Sequence, residues 1–174
     1  MIKNLMVAIT FLSIGVVNQS SANPKPMGIE IGKTTVDEVA SSCRLTLKGV
    51  HVWSGGNLYE MPTHYSKIDG ASKVVVIANE RNIITAIFVD VPKANFMRMK
   101  VLLDQKYTLV NFVNPHVGNK EAVYRDGQAT IALKAPHMSF DMSLSYEHES
   151  FIQAGRRFIE QKHKEEQKKL AGAL

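Results

Sequence analysis

The stretch Met138–Glu147, MSFDMSLSYE, alternates with a period of two. Phe140, Met142, Leu144 and Tyr146 fall on one side, Asp141, Ser143, Ser145 and Glu147 on the other. A strand sends successive side chains to opposite faces, so this pattern predicts a strand with one apolar and one wet face. Such half-buried strands belong to antiparallel sheets.

The rest of the chain supplies neighbours for it. Leu45, Leu47 and Val50 lead through His51-Val52-Trp53 to Ser54-Gly55-Gly56-Asn57, a tight-turn signal, and then to Leu58–Met61. Pro62–Ser72 reads as a polar loop. Lys73–Ala78 and Ile83–Asp90 are β-rich runs joined by a hairpin turn at Asn79–Asn82. Tyr107–Val113 is extended, Asn114–Gly118 is a loop, and Ala122–Tyr124 and Ala129–Leu133 flank Asp126-Gly127. That dipeptide suits a two-residue type I′ turn.

Three segments read as helical. Thr35-Val-Asp-Glu38 is a capping box, with Asp37 and Glu38 at the positive end of the helix dipole. Val36, Val39 and Ala40 form its apolar stripe, and the helix runs to about Cys43. After Pro92, Phe96, Met99, Leu103 and Tyr107 recur at helical spacing, with Val101 and Leu102 widening the buried face. In the last segment, Phe151, Ile152, Phe158 and Ile159 dock the first turns. Glu160–Lys169 has no apolar residue, and Glu160–Lys164 and Glu165–Lys169 are i,i+4 ion pairs. The expected class is α+β: an antiparallel sheet of about seven or eight strands, two short helices packed on it, and a C-terminal helix projecting from the domain.

The amino terminus speaks to location. Lys3, the mostly apolar Leu5–Val17 and the small residues Ser20-Ser21-Ala22 have the layout of a secretory signal peptide cleaved before Asn23. The apolar run is too short to span a bilayer, which takes about 20 residues. The expected organisation is a signal peptide at 1–22, a single domain at 23–150 and a charged helical tail at 151–174. A periplasmic or secreted location follows, with no transmembrane segment.

Charge and cysteine content narrow the partners. The chain carries a formal net charge of +5. Within Arg156–Lys169 six basic residues stand against three acidic ones, so much of the excess sits in the tail. A local excess mixed with Glu on an exported chain reads as a solvated tail rather than a nucleic-acid surface. Arg156 and Arg157, at its start, are candidates for contact with a partner or an anionic membrane surface. Cys43, the single cysteine, is either buried and inert or a thiol for an intermolecular bond. No cysteine follows the signal region to carry a lipid.

Familiar chemistries find little footing. Gly32-Lys33-Thr34 resembles the end of a phosphate-binding loop, but that loop needs a glycine where Met27 stands, and no strong strand precedes it. Ser54 lies in no nucleophile elbow. His51, His64, His116, His137, His148 and His163 never recur at ligand spacing, so neither metal nor cofactor is expected. Trp53, Tyr59 and Tyr65 gather around the Ser-Gly-Gly-Asn turn and the loop after it. Aromatic side chains at loops are typical of contact surfaces, although Trp53 reads equally well as a core anchor.

Gly32-Lys-Thr-Thr-Val-Asp-Glu-Val39 is similar to the Gly-x-Thr-x-x-Glu-Val opening of small periplasmic domains of the BamE-like (SmpA/OmlA) type, with one residue more. In those domains the motif starts a helix ahead of an antiparallel sheet. The resemblance spans Gly28–Val39 and implies an α+β interaction module without catalytic residues. The expected function is that of an exported, non-enzymatic protein binding envelope proteins or other envelope components. The alternative is an exported hydrolase or small-ligand-binding protein whose site assembles only in the fold. A third, an inhibitor of a toxic basic enzyme, would be expected to be acidic for steering, and this domain is near neutral.

Overall fold

The computed structural model describes residues 22–172. The proposed signal peptide, up to Ser21, lies outside the described residues. Eight strands form one antiparallel sheet: β1 (Thr46–Val50), β2 (Gly55–Met61), β3 (Lys73–Asn79), β4 (Ile84–Pro92), β5 (Thr108–Val113), β6 (Lys120–Asp126), β7 (Ala129–Ala135) and β8 (Asp141–His148). Their order is β1-β2-β3-β4-β8-β7-β6-β5. Two four-stranded meanders therefore meet at the centre, where β4 and β8 pair from Ala86↔Glu147 to Pro92↔Asp141. Helix α1 (Val36–Ala40) precedes the first meander and α2 (Phe96–Asp104) precedes the second, so the topology repeats itself. The chain closes with α3 (Glu149–Gly172).

The α+β expectation is met, and the capping box is in place. Thr35 Oγ1 accepts from the Glu38 amide at 3.3 Å, and Glu38 Oε2 accepts from the Thr35 amide at 2.7 Å. Val36 and Val39 are buried, whereas Ala40 faces solvent because α1 is little more than one turn.

The two sheet faces differ in their cover. On one face α1, α2 and the segment carrying Ile29 and Ile31 close over Val74, Val76, Ile87, Val89, Ile131, Leu133, Met142 and Leu144, all nearly inaccessible. Asn23 anchors the start of that segment: its side chain donates to the Ile31 carbonyl at 2.9 Å and accepts from the Gln128 amide at 2.8 Å. On the opposite face the first turns of α3 set Phe151 against Ile77 and Ala86, with Leu58, Val75 and Phe88 around them.

Several local expectations shift. The β1–β2 turn falls at residues 52–54, and Gly55 and Gly56 belong to β2. A Cβ at Gly56 would lie 2.4 Å from the Ala78 carbonyl oxygen, so close strand approach, rather than the turn, uses that glycine. The β6–β7 loop is Gly127–Gln128 rather than Asp126-Gly127, since Asp126 pairs with Ala129. Only Gly127 of the two has positive φ (54°), whereas a type I′ turn needs it at both positions. Val101 and Leu102 are 53% and 52% exposed, because α2 turns Phe96, Met99 and Leu103 toward the core instead. Phe140 is 95% exposed: β8 begins at Asp141, so the alternation no longer places residue 140 on the core side. Ile159 is 55% exposed, one residue beyond the last contact of α3 with the domain's aromatic rings.

Candidate functional site

The sequence-predicted site residues do not form one group. Trp53 sits on the α3 side, its ring centroid 4.4 Å from that of His51, 5.8 Å from Phe151 and 6.4 Å from Phe158. Its neighbours make it a clamp for the helix, although 39% of it stays exposed. Tyr59 follows Leu58 in β2 and so points through the sheet to the other face, where it packs on the main core. Its hydroxyl accepts from Asn57 Nδ2 at 3.2 Å. Tyr65 lies beyond β2 in a short helical turn, with the His64 ring 4.3 Å away. The three aromatics that neighbour one another in the sequence are thus separated, Trp53 in the turn under α3, Tyr59 on the core face of β2 and Tyr65 beyond the strand.

Cys43 is 6% exposed, and burial pushes its thiol pKa up. A thiol shielded in this way is a poor nucleophile and does not suit an intermolecular bond. Arg156 and Arg157 are exposed on α3, and Arg157 borders the hollow formed by Trp53, Ser54, Glu80 and Phe151. From Ile159 to Gly172 every residue of α3 is exposed. The helix therefore stands clear of the sheet over its charged part. Among the described residues no helix is long and apolar enough to cross a membrane. Nor does any group of three or more His, Cys, Asp and Glu among them sit where it could hold a metal ion.

Two features were not legible in the sequence as sites. The first is the outer edge of the second meander. In β5 all six residues are exposed, and Leu109, Val110, Phe112 and Val113 are 43%, 59%, 40% and 43% accessible. This strand carries no charged residue, whereas the opposite edge, β1, holds Lys48 in an ion pair with Glu60 at 2.8 Å. Both edges are bulged, β5 between Leu109 and Asn111 and β1 between Leu47 and Gly49. Native edge strands usually carry charge or proline to discourage further pairing, and β5 has neither. Beside it Lys100 Nζ lies 4.4 Å from the Phe112 ring centroid, and Met97 and Val101 continue the apolar surface along α2.

The second is a groove of about 400 Å³ on the helix-covered face, between α2, the segment from Lys25 to Met27 and the loop from Ser66 to Asp69. Its floor holds Leu144 and the Tyr107 and Tyr146 rings, whose centroids lie 6.3 Å apart. Burial, and after it the neighbouring Tyr107, raise the pKa of Tyr146. Its lining combines aliphatic, aromatic and cationic side chains with one carboxylate, Asp69. Convergent carboxylates or histidines, which hydrolysis would call for, are not part of it.

The pattern that marks β5 was readable as a strand. Its edge position follows only from the strand order. No protein-family model, curated protein or solved structure matches the chain.

Proposed function

We propose that the protein is an exported, non-enzymatic binding protein of the cell envelope that holds a polypeptide partner along the β5 edge. The uncharged Thr108–Val113 strand at the end of the sheet, with every residue exposed, carries this reading. An incoming extended segment would continue the sheet's hydrogen-bond ladder and cover Leu109, Val110 and Phe112, as in β-strand addition. Export rests on the signal-like residues 1–22, and cleavage there leaves both contacts of Asn23 in place. The similarity of Gly32–Val39 to BamE-like domains is part of the same proposal. It draws support from a capped helix that opens onto an antiparallel sheet.

Tagged protein purified from the envelope of its own cell, with and without cross-linking, tests the reading. A Val110→Lys, Phe112→Lys variant places charge on the edge without entering the buried core. A partner captured by the native chain and lost by this variant, with an unchanged melting temperature, supports edge binding. A partner retained by the variant rules the edge out. Failure to recover any partner favours the small-ligand reading, to which the groove lends its own support.

A further inference from the structure

We propose that the groove between α2 and the Ser66–Asp69 loop binds a monomeric amphiphilic anion: a carboxylate head at the rim and an apolar tail over the tyrosine floor. This is independent of edge binding, since β5 lies outside the groove's lining.

Size comes first. A volume of about 400 Å³ lies within the usual range for small-molecule sites. At roughly 30 Å³ per non-hydrogen atom, the share a water takes in the liquid, it accommodates on the order of a dozen such atoms. That suits a medium-chain fatty acid and is too small for a two-tailed lipid.

The lining then sets polarity. Met99, Leu103 and Leu144 supply aliphatic surface, and Tyr107 and Tyr146 supply ring faces. The two rings stand edge to face with centroids 6.3 Å apart, so ring carbon makes up part of the floor. An apolar chain laid here displaces water from surface that gains nothing by keeping it.

Charge sets the sign of the head group. Lys25, Lys67, Arg98 and Lys106 border the groove, against the single carboxylate of Asp69. Lys25 is engaged by Glu30 at 3.0 Å and Arg98 by Asp69 at 3.3 Å. Lys67 and Lys106 have no ion-pair partner among the described residues. Lys67 is also held in place. Its backbone takes a φ of 53°, and Ser66 before it is pinned by a 2.7 Å bond to the Thr63 carbonyl and a 3.2 Å bond from the Ile68 amide. Two unpaired ammonium groups above an apolar floor complement an anion, and a cation of the same length would be repelled.

Titration of the purified protein with decanoate, followed by amide NMR shifts and calorimetry, tests the proposal. Decyltrimethylammonium provides the opposite head group. Phosphatidylglycerol vesicles provide the same sign of charge on a membrane. We expect decanoate to bind at least tenfold more tightly than the cation, with shifts centred on Lys67, Leu103, Tyr107 and Tyr146. In Lys67→Asn, Lys106→Gln that preference falls at least tenfold with an unchanged melting temperature. Asparagine suits the positive φ at 67, and both side chains are exposed, so the fold is not at stake. Equal affinity for both head groups overturns the proposal. So do shifts confined to β5, vesicle binding without decanoate binding, or no binding of decanoate at millimolar concentration.

Discussion

A Cβ built on Gly155 stands 3.2 Å from Nε1 of Trp53, so the indole lies against a position of α3 that has no side chain. Glycine inside a helix costs about 1 kcal/mol relative to alanine. Its place here is explained by the ring. Because Trp53 is 39% exposed, it has room to yield slightly to a methyl group. Gly155→Ala is therefore expected to leave the melting temperature unchanged or raise it. Gly155→Leu overfills the contact, at a cost of about 1–3 kcal/mol, and pushes the ring toward water. Trp53 is the sole tryptophan, so its emission reports the event directly. An unshifted spectrum in Gly155→Leu would show that α3 does not rest there.

The same cluster predicts a pH dependence. His51 Nδ1 is buried without a hydrogen-bond partner among the described residues, between Trp53 and Phe151. Burial lowers the His51 pKa below its ordinary 6.5, and that of His148 is also lowered, chiefly by burial. With the folded pKa depressed, the unfolded chain binds more protons below about pH 6.5. Stability is thus full above that value and declines as pH falls through the folded pKa. Thermal melts between about pH 7.5 and 5.5 should show the decline. Replacing His51 by Phe should remove part of it, leaving the share of His148. A flat profile in the native chain would contradict this.

Tyr124 fastens α2 to the sheet. Its ring is fully buried in β6, and its hydroxyl donates to Asp104 Oδ1 at 2.9 Å. Lys100 Nζ holds the other carboxylate oxygen at 2.7 Å and, with Tyr124, keeps the Asp104 pKa low. Since Asp104 keeps Lys100, Tyr124→Phe is expected to cost only about 0.5–1.5 kcal/mol. Tyr124→Ala adds a cavity and is expected to cost about 3–5 kcal/mol. Urea denaturation separates the two, and equal losses would mean that the hydroxyl matters more than the ring.

Gly32 and Lys33 offer a contrast that bears on the phosphate-loop pattern. Gly32 has a φ of 83°, and a Cβ there would lie 2.3 Å from the His148 ring. Gly32→Ala should destabilise by about 1–3 kcal/mol through strain and overlap. Lys33 is exposed and reaches only Glu30, at 3.7 Å. Lys33→Ala should alter stability by less than about 1 kcal/mol, as expected for a surface pair. A large loss on calorimetric unfolding for Lys33→Ala would require another role for that lysine.

Much of the secondary structure could be read directly, for local reasons. The Thr35–Glu38 capping box needs only residues three apart. The alternation of Met142, Leu144 and Tyr146 marks the side of β8 that meets the main core, although the other side is not wet as expected, since Ser145 there is buried too. The Asn79–Asn82 turn is made within itself, the Asn79 side chain accepting from the Arg81 and Ile83 amides at 3.0 and 3.1 Å. At Gly55 the boundary slipped because that glycine pairs with Asn79 across the sheet, a contact from another part of the chain.

The candidate sites belong to that second kind. Apolar periodicity cannot say whether a strand ends up central or at an edge, so Ile84–Pro92 and Thr108–Val113 both read as strands. Pairing with β3 and β8 buried the first and left the second open. Trp53 and Tyr59 looked like neighbours because they are close in sequence, and the sheet put them on opposite faces. Lys67, Lys106 and Tyr146 come from three separate segments and share a groove only because α2 and the Ser66–Asp69 loop fold over β8. By itself the sequence determined the strands, the capped helix and the charged tail, whose interactions span a few residues. Only the tertiary structure decided which apolar surface stayed uncovered and which charges converged, because long-range strand pairing sets both.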